Sequence, residues 1–73
     1  MQQYGNISGV SDVAAFEIAP TYIDVKFHNS SRVYRYSYTS AGESHVETMK
    51  QLAAQGYGLN AYINRMVRYR YEK

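Results

Sequence analysis

The 73-residue chain has no cysteine, a single proline and no long apolar run. Without cysteine, neither a disulfide framework nor a thiolate metal site can stabilise the fold. No apolar stretch approaches the roughly 7–15 residues of a signal-peptide core or the roughly 20 residues of a membrane span. We therefore expect a cytoplasmic protein with no membrane partner.

The chain is also short of material for a large core. A single hydrophobic core below roughly 70–80 residues rarely supplies more than about 3–5 kcal/mol of net stability, so an oligomer or a bound partner would add to it. Composition predicts a flexible leader over residues 1–10, which are rich in Gln, Gly, Asn and Ser, and one domain over residues 11–73.

Alternation with a period of two predicts three antiparallel strands, at about residues 11–19, 22–28 and 32–39. Pro20 ends the first strand, and the turn formers at residues 29–31 connect the second to the third. In the third strand, Tyr34, Tyr36 and Tyr38 alternate with Arg35 and Ser37. The tyrosine rings therefore share one face of the strand.

Helical spacing replaces the alternation after Thr39. A capping box at either Ser40 or Ser44 can start a first helix, which ends at about Gln55 before a left-handed Gly56. Asn60 can cap a second, amphipathic helix. The tail, residues 68–73, is left open as coil or as a short added strand.

These elements predict an α+β fold, a three-stranded antiparallel β-meander packed against two C-terminal helices. The predicted core consists of Phe16, Ile18, Ile23, Val25, Phe27, Tyr34, Tyr36, Val46, Met49, Leu52, Leu59, Ile63 and Met66.

The order of motifs along the chain is a short meander with a central Tyr-x-Tyr, a helix, a glycine-containing segment and a basic aromatic tail. The positions concerned are Tyr34, Tyr36, Gly56, Leu59, Asn60 and Ile63. This order resembles that of the KTSC domain, found at the C-terminus of some lysyl-tRNA synthetases and as small bacterial and phage proteins. The resemblance covers about residues 11–71; it implies this fold and suggests RNA binding. Where the family has an arginine after the isoleucine, this chain has Asn64.

The strand tyrosines have two interpretations. Facing the helices, Tyr34 and Tyr36 are core residues, with Arg35 outside near Asp24 or Lys26. Facing solvent, they form a platform on which single-stranded bases stack, but Arg35 then points into the protein at a cost. The core interpretation is favoured.

The tail region is the stronger functional candidate, although the net charge is only +2. Guanidinium groups interleaved with aromatic rings suit phosphate contact together with base stacking, whereas a purely structural alternative is that the cations stabilise a helix C-terminus. Tyr57, at a glycine-flanked turn, is a further contact candidate. The predicted nucleic-acid-binding residues are Arg65, Arg68, Tyr69, Arg70, Tyr71, Lys73 and Tyr57.

Catalytic and metal sites are not predicted. His28 and His45 lack metal-ligand spacing, and the serines lack a nucleophile-elbow sequence. We therefore expect a non-enzymatic binding module without a cofactor, for RNA or single-stranded nucleic acid. The alternative is a protein-interaction module that forms a homo-oligomer or binds a host or phage partner.

Overall fold

A computed structural model of the chain describes residues 1–5 and 12–73. Within these ranges, no helix is both long enough and apolar enough to cross a bilayer. The elements are β1 (Gln2–Gln3), β2 (Val13–Ala19), β3 (Tyr22–Phe27), β4 (Val33–Ser37), α1 (Glu43–Gln55) and α2 (Leu59–Tyr62), which continues as a π-helical segment (Ile63–Val67). The predicted α+β class is confirmed.

The sheet has four antiparallel strands in the order β1-β2-β3-β4, one more than predicted. The additional strand comes from the expected leader, because Gln2 pairs with Phe16 and Tyr4 is buried with its ring edge-on to Phe16 at 6.4 Å. The sequence did not predict this strand because its residues are polar. One aromatic ring, that of Tyr4, provides most of its apolar contact. The sequence also predicts that Ile7 or Val10 contacts the body of the domain, and both residues lie outside the described ranges.

The strand register divides the side chains between the two faces of the sheet. Phe16, Val25 and Tyr34 form one cross-strand row, and Ile23 pairs with Tyr36 in the next. Residues paired across strands share a face, and this inner face packs against the helices. Tyr36 is therefore core, as expected.

The opposite face carries a polar row. Arg35 donates from Nε and Nη2 to the two carboxylate oxygens of Asp24, at 2.8 and 3.1 Å, and its guanidinium lies 3.9 Å from the centre of the Tyr22 ring. The hydrogen bond to Asp24 raises the pKa of Arg35 above its ordinary value. The prediction that Arg35 lies outside the core beside Asp24 is confirmed.

Two predicted core residues are wrong. Ile18 is 45% exposed because α1 packs mainly on β3 and β4 and leaves this end of β2 uncovered. Met66 is 43% exposed because the π-helical segment has more residues per turn, so that Val67 is buried instead. The remaining predicted core residues are buried or half-buried; Tyr4, Val13, Ala41, Ala53 and Val67 are buried but absent from the predicted core.

Neither predicted capping box starts α1. Gly42 occupies the N-cap position without a side-chain hydrogen bond, and Ser40 instead exchanges backbone-to-hydroxyl bonds of 3.0 Å with Ser37. The other end matches the prediction, since Gly56 adopts a left-handed conformation with φ of 74° and its N–H bonds the carbonyls of Leu52 and Ala53. Glycine is favoured there because it carries no Cβ.

The start of α2 also differs from the prediction. The N-cap is Gly58, with φ of 85°, and Asn60 lies inside the helix without a capping bond. The backbone N–H of Leu59 instead donates to the hydroxyl of Tyr4 at 3.3 Å. The N-terminal strand therefore supplies the acceptor that sequence reasoning assigned to Asn60.

Candidate functional site

An aromatic groove of about 280 Å³ lies between the β3–β4 hairpin on one side and the π-helical segment with the tail on the other. Aromatic and aliphatic side chains form most of its wall, and amide, hydroxyl and guanidinium groups complete it. The lining residues are Phe27, Asn29, Ser30, Tyr34, Tyr36, Ile63, Asn64, Arg68, Tyr69 and Tyr71.

The groove brings together the two segments of alternating tyrosines. The Tyr71 ring lies edge-on to Tyr34 with 4.8 Å between ring centres, and to Tyr36 at 6.1 Å. Phe27 extends the cluster with a centre-to-centre distance of 5.5 Å to Tyr34. Edge-to-face pairs at these distances are favourable. The tail tyrosine is thus half-buried on the strand tyrosines, and the two segments share one site.

Tyr36 is the deepest ring of the groove, with 1% of its surface exposed. Burial, followed by the nearby Tyr71 and Tyr34, raises its pKa to about 12. Its hydroxyl makes no hydrogen bond within the described part of the chain. Every side-chain N or O atom there that is fully shielded from solvent has a hydrogen-bond partner, so the Tyr36 hydroxyl is not fully shielded. At neutral pH the groove therefore contains a protonated hydroxyl that is accessible to a ligand.

Three cations surround the rings. The Arg32 guanidinium lies 4.9 Å from the centre of Tyr34 and 5.2 Å from that of Tyr71, and the Lys73 ammonium lies 5.8 Å from Tyr71. Arg68 lies 5.3 Å from Tyr69. Over residues 1–5 and 12–73, ion pairs form at Arg35 and Lys50 but at none of these three cations. Their charge is therefore available to an anionic ligand.

Neutral polar groups complete the groove. Asn29 and Ser30 belong to the hairpin turn, where the Ser30 hydroxyl accepts from the Arg32 N–H at 3.0 Å. Asn64 projects from the π-helical segment on the other side. Amide side chains offer both donors and an acceptor, the combination that reads the edge of a base.

The structure separates the predicted binding residues into two sets. Arg68, Tyr69 and Tyr71 line the groove, and Lys73 contacts Tyr71. Arg65, Arg70 and Tyr57 are exposed and do not line it; Tyr57 lies in the turn between α1 and α2.

Of the predicted family motif, Tyr34, Tyr36 and Ile63 line the groove, whereas Gly56 and Asn60 do not. Sequence reasoning missed Arg32, Phe27 and the three neutral residues of the wall. Phe27 and Arg32 are the next residues after the paired Lys26 and Val33 of the hairpin. Continued pairing would put them on the same face as Tyr34, and this is the signal that could have identified them.

Tyr34, Tyr36 and Tyr38 form a row of tyrosines, and the Tyr38 end of this tyrosine row is hydrogen-bonded to other residues. The Tyr38 hydroxyl donates to Glu47 at 2.5 Å, and Lys50 donates to the same carboxylate at 2.8 Å and to the Pro20 carbonyl at 3.0 Å. The bond to Glu47 raises the pKa of Tyr38 to about 12, while the bonds from Lys50 and Tyr38 lower the pKa of Glu47.

The histidines do not converge on a metal site in the described ranges, where no group of three or more potential ligands occurs. His45 Nδ1 instead lies 2.6 Å from the Tyr62 hydroxyl, a hydrogen bond that joins α1 to α2. His28 is exposed beside the hairpin turn.

No family model, curated protein or solved structure matches this chain. The resemblance to the KTSC domain therefore stays a prediction.

Proposed function

We propose that this chain is a non-enzymatic binding module for RNA or single-stranded nucleic acid, and that the aromatic groove holds one base. The observation that carries the proposal is the convergence of Tyr34 from the hairpin and Tyr71 from the tail on one groove. The cations around it form no ion pair with any residue that the structure describes. If the resemblance to the KTSC domain holds, its suggested RNA binding points the same way.

The charges favour this ligand over other ligands of aromatic sites. Aromatic walls also bind cations such as quaternary ammonium groups. Arg32, Arg68 and Lys73 would repel such a ligand, and the described residues that line the groove include no carboxylate. A base linked to phosphates is complementary to both parts of the groove, because any base can stack on the rings and each phosphate can contact a cation.

The size of the groove fits one planar group of a longer ligand. Its volume of about 280 Å³ lies just below the roughly 300–1,000 Å³ of typical small-molecule pockets. The hydroxyl of Tyr36 and the amides of Asn29 and Asn64 are placed to hydrogen-bond the base edge, while the phosphates stay outside.

Fluorescence anisotropy with a short labelled single-stranded RNA tests the proposal. Contact of three cations with phosphates predicts an affinity that falls roughly 20-fold between about 50 and about 200 mM salt. Arg32→Gln and Arg68→Gln should each weaken binding and flatten this salt dependence. Lys26→Gln is the matched control, because Lys26 lies on the opposite face of the sheet. No binding at the lower salt concentration would refute the proposal.

A protein-interaction module is the second candidate, and one observation favours it. Tyr69 is 66% exposed beside Arg68 at the groove mouth, and tyrosine and arginine dominate protein-binding hot spots. Capture of partners from nuclease-treated and untreated lysate separates the candidates. A partner retained after nuclease treatment favours protein, and one that is lost favours nucleic acid.

A further inference from the structure

The tail, residues 68–73, forms one wall of the aromatic groove but has little main-chain bonding to the sheet. The Glu72 N–H donates to the Arg35 carbonyl on the free edge of β4 at 2.7 Å, and among residues 1–5 and 12–73 this is the one main-chain hydrogen bond between tail and sheet. The Arg70 N–H donates to the Val67 carbonyl, one turn earlier, and so bonds to the end of the π-helical segment. The expected alternative of an added strand is not formed, since a single bond makes no ladder.

The attachment lies next to the groove residues, because Glu72 stands between Tyr71 and Lys73 in the chain. The tail supplies Tyr71 and Lys73, whereas the hairpin supplies Tyr34 and Arg32 on the other side. If the bond from Glu72 opened, Tyr71 would be free to leave Tyr34, and the groove would lose one wall. The position of the tail therefore determines whether the groove is complete.

The positive charges of Arg32 and Lys73 make the position of the tail sensitive to an anionic ligand. Arg32 and Lys73 lie 5.2 and 5.8 Å from the centre of the same ring, Tyr71, so the docked tail brings two positive charges to one ring, where they repel each other. A bound phosphate would offset that repulsion and favour the docked tail. Without the ligand, the tail is held by the Glu72 bond and the ring contacts.

We infer that the tail is a hinged wall that closes the aromatic groove over its nucleic-acid ligand; this inference rests on the proposed function. The apparent dissociation constant then equals the intrinsic one divided by the fraction of chains with a docked tail. By linkage, the ligand must in turn raise the docked fraction.

Replacement of Glu72 tests the closure directly. Glu72→Pro removes the N–H that bonds the Arg35 carbonyl, whereas Glu72→Gln removes the same charge and keeps the N–H. Relative to Glu72→Gln, we expect Glu72→Pro to bind single-stranded RNA roughly 2- to 10-fold more weakly, the amount set by one hydrogen bond. Equal binding by the two variants would overturn the inference, and tighter binding by Glu72→Pro would show that the tail competes with the ligand.

Hydrogen exchange in the unmodified chain gives an independent measurement. The Glu72 amide should exchange faster than the amides of β3 in the free protein, and a saturating single-stranded RNA should slow it. Unchanged exchange in the presence of bound RNA would contradict closure even if Glu72→Pro failed to fold. Absence of RNA binding by the unmodified chain would instead refute the proposed function, together with this inference.

Discussion

The row of tyrosines starts on β4 at Tyr34 and ends at Tyr38, just after that strand, and its two ends differ in whether their polar groups have partners. At one end, Tyr38 and Lys50 both donate to the Glu47 carboxylate, and Lys50 also donates to a backbone carbonyl. At the other end, the Tyr36 hydroxyl is free and Arg32 has no ion-pair partner among the described residues. Both ends have the same alternating sequence pattern.

This difference indicates which end is structural and which is available for a ligand. Hydrogen bonds between side chains contribute modestly to stability, so the two bonds that Glu47 accepts stabilise the folded state by themselves. Groups left without partners beside an open groove contribute little to the folded state alone. Tyr38 therefore joins the strand to α1, whereas the Tyr34 end keeps its bonding capacity for a ligand.

The largest expected effect is on stability, and it tests whether Tyr36 is a core residue. Tyr36→Ala should lower the free energy of unfolding by about 3–5 kcal/mol, the loss typical of a large buried aromatic side chain. Urea denaturation measures it. Tyr36→Phe keeps the ring and should cost much less. A loss below about 1 kcal/mol for the alanine variant would contradict a core role.

The next effect compares the groove with an exposed tyrosine elsewhere. Tyr69→Ala should weaken binding of single-stranded RNA by about 1–3 kcal/mol, because a stacked base loses its aromatic partner. Tyr57→Ala is the matched control, since Tyr57 is also exposed, at 58%, but lies outside the groove. Equal losses in the two variants would show that the groove is not the site.

Alkaline pH should reveal the contributions of Tyr36 and Tyr38 to the free energy of unfolding in one experiment. The unfolded chain loses tyrosine protons above about pH 10, whereas Tyr36 and Tyr38 keep theirs until about 12 when folded. The unfolded state then binds fewer protons, so the free energy of unfolding falls as pH rises from about 10 to about 12. Tyr36→Phe and Tyr38→Phe should each reduce this slope in urea titrations. A slope unchanged in both variants would contradict the assignment.

The smallest expected effect separates the two ends by their hydroxyl groups alone. Tyr38→Phe should lower the midpoint of urea denaturation because Glu47 loses a donor, whereas Tyr34→Phe should leave it nearly unchanged. As the pKa of Glu47 is lowered in the fold, the difference should shrink when Glu47 is protonated at acid pH. Equal midpoints of urea denaturation for the two variants at neutral pH would contradict the conclusion that the Tyr38 end is structural and the Tyr34 end is not.

Much of the framework was predictable because it depends on short-range patterns. Strand alternation located β3 and β4, and Gly56 marked the end of α1. The short polar strand β1 was not predictable, because its stability comes from the burial of Tyr4 against a distant part of the chain. The capping boxes failed for a related reason, since the Ser37 contact withdrew Ser40 from the helix.

The candidate site was predictable only in part. Arg68, Tyr69 and Tyr71 were identified from the interleaving of cations with rings, and the structure brings them to the groove. Sequence reasoning treated the strand tyrosines and the tail tyrosines apart, whereas the structure packs Tyr71 against Tyr34 and Tyr36. Sequence spacing carries no information about Tyr71 folding back onto Tyr34, some forty residues away in the chain.

The sequence by itself determined which residues share a strand or helix face, because those periods follow from backbone geometry. It also determined the cluster of charge and aromatic rings near the C-terminus. Tertiary structure alone decided which polar groups obtained partners, since Tyr38 meets Glu47 and the Tyr36 end meets the tail only after the helices pack on the sheet. The physical reason is that hydrogen bonding and ion pairing depend on distances between residues far apart in the chain, and only packing sets those distances.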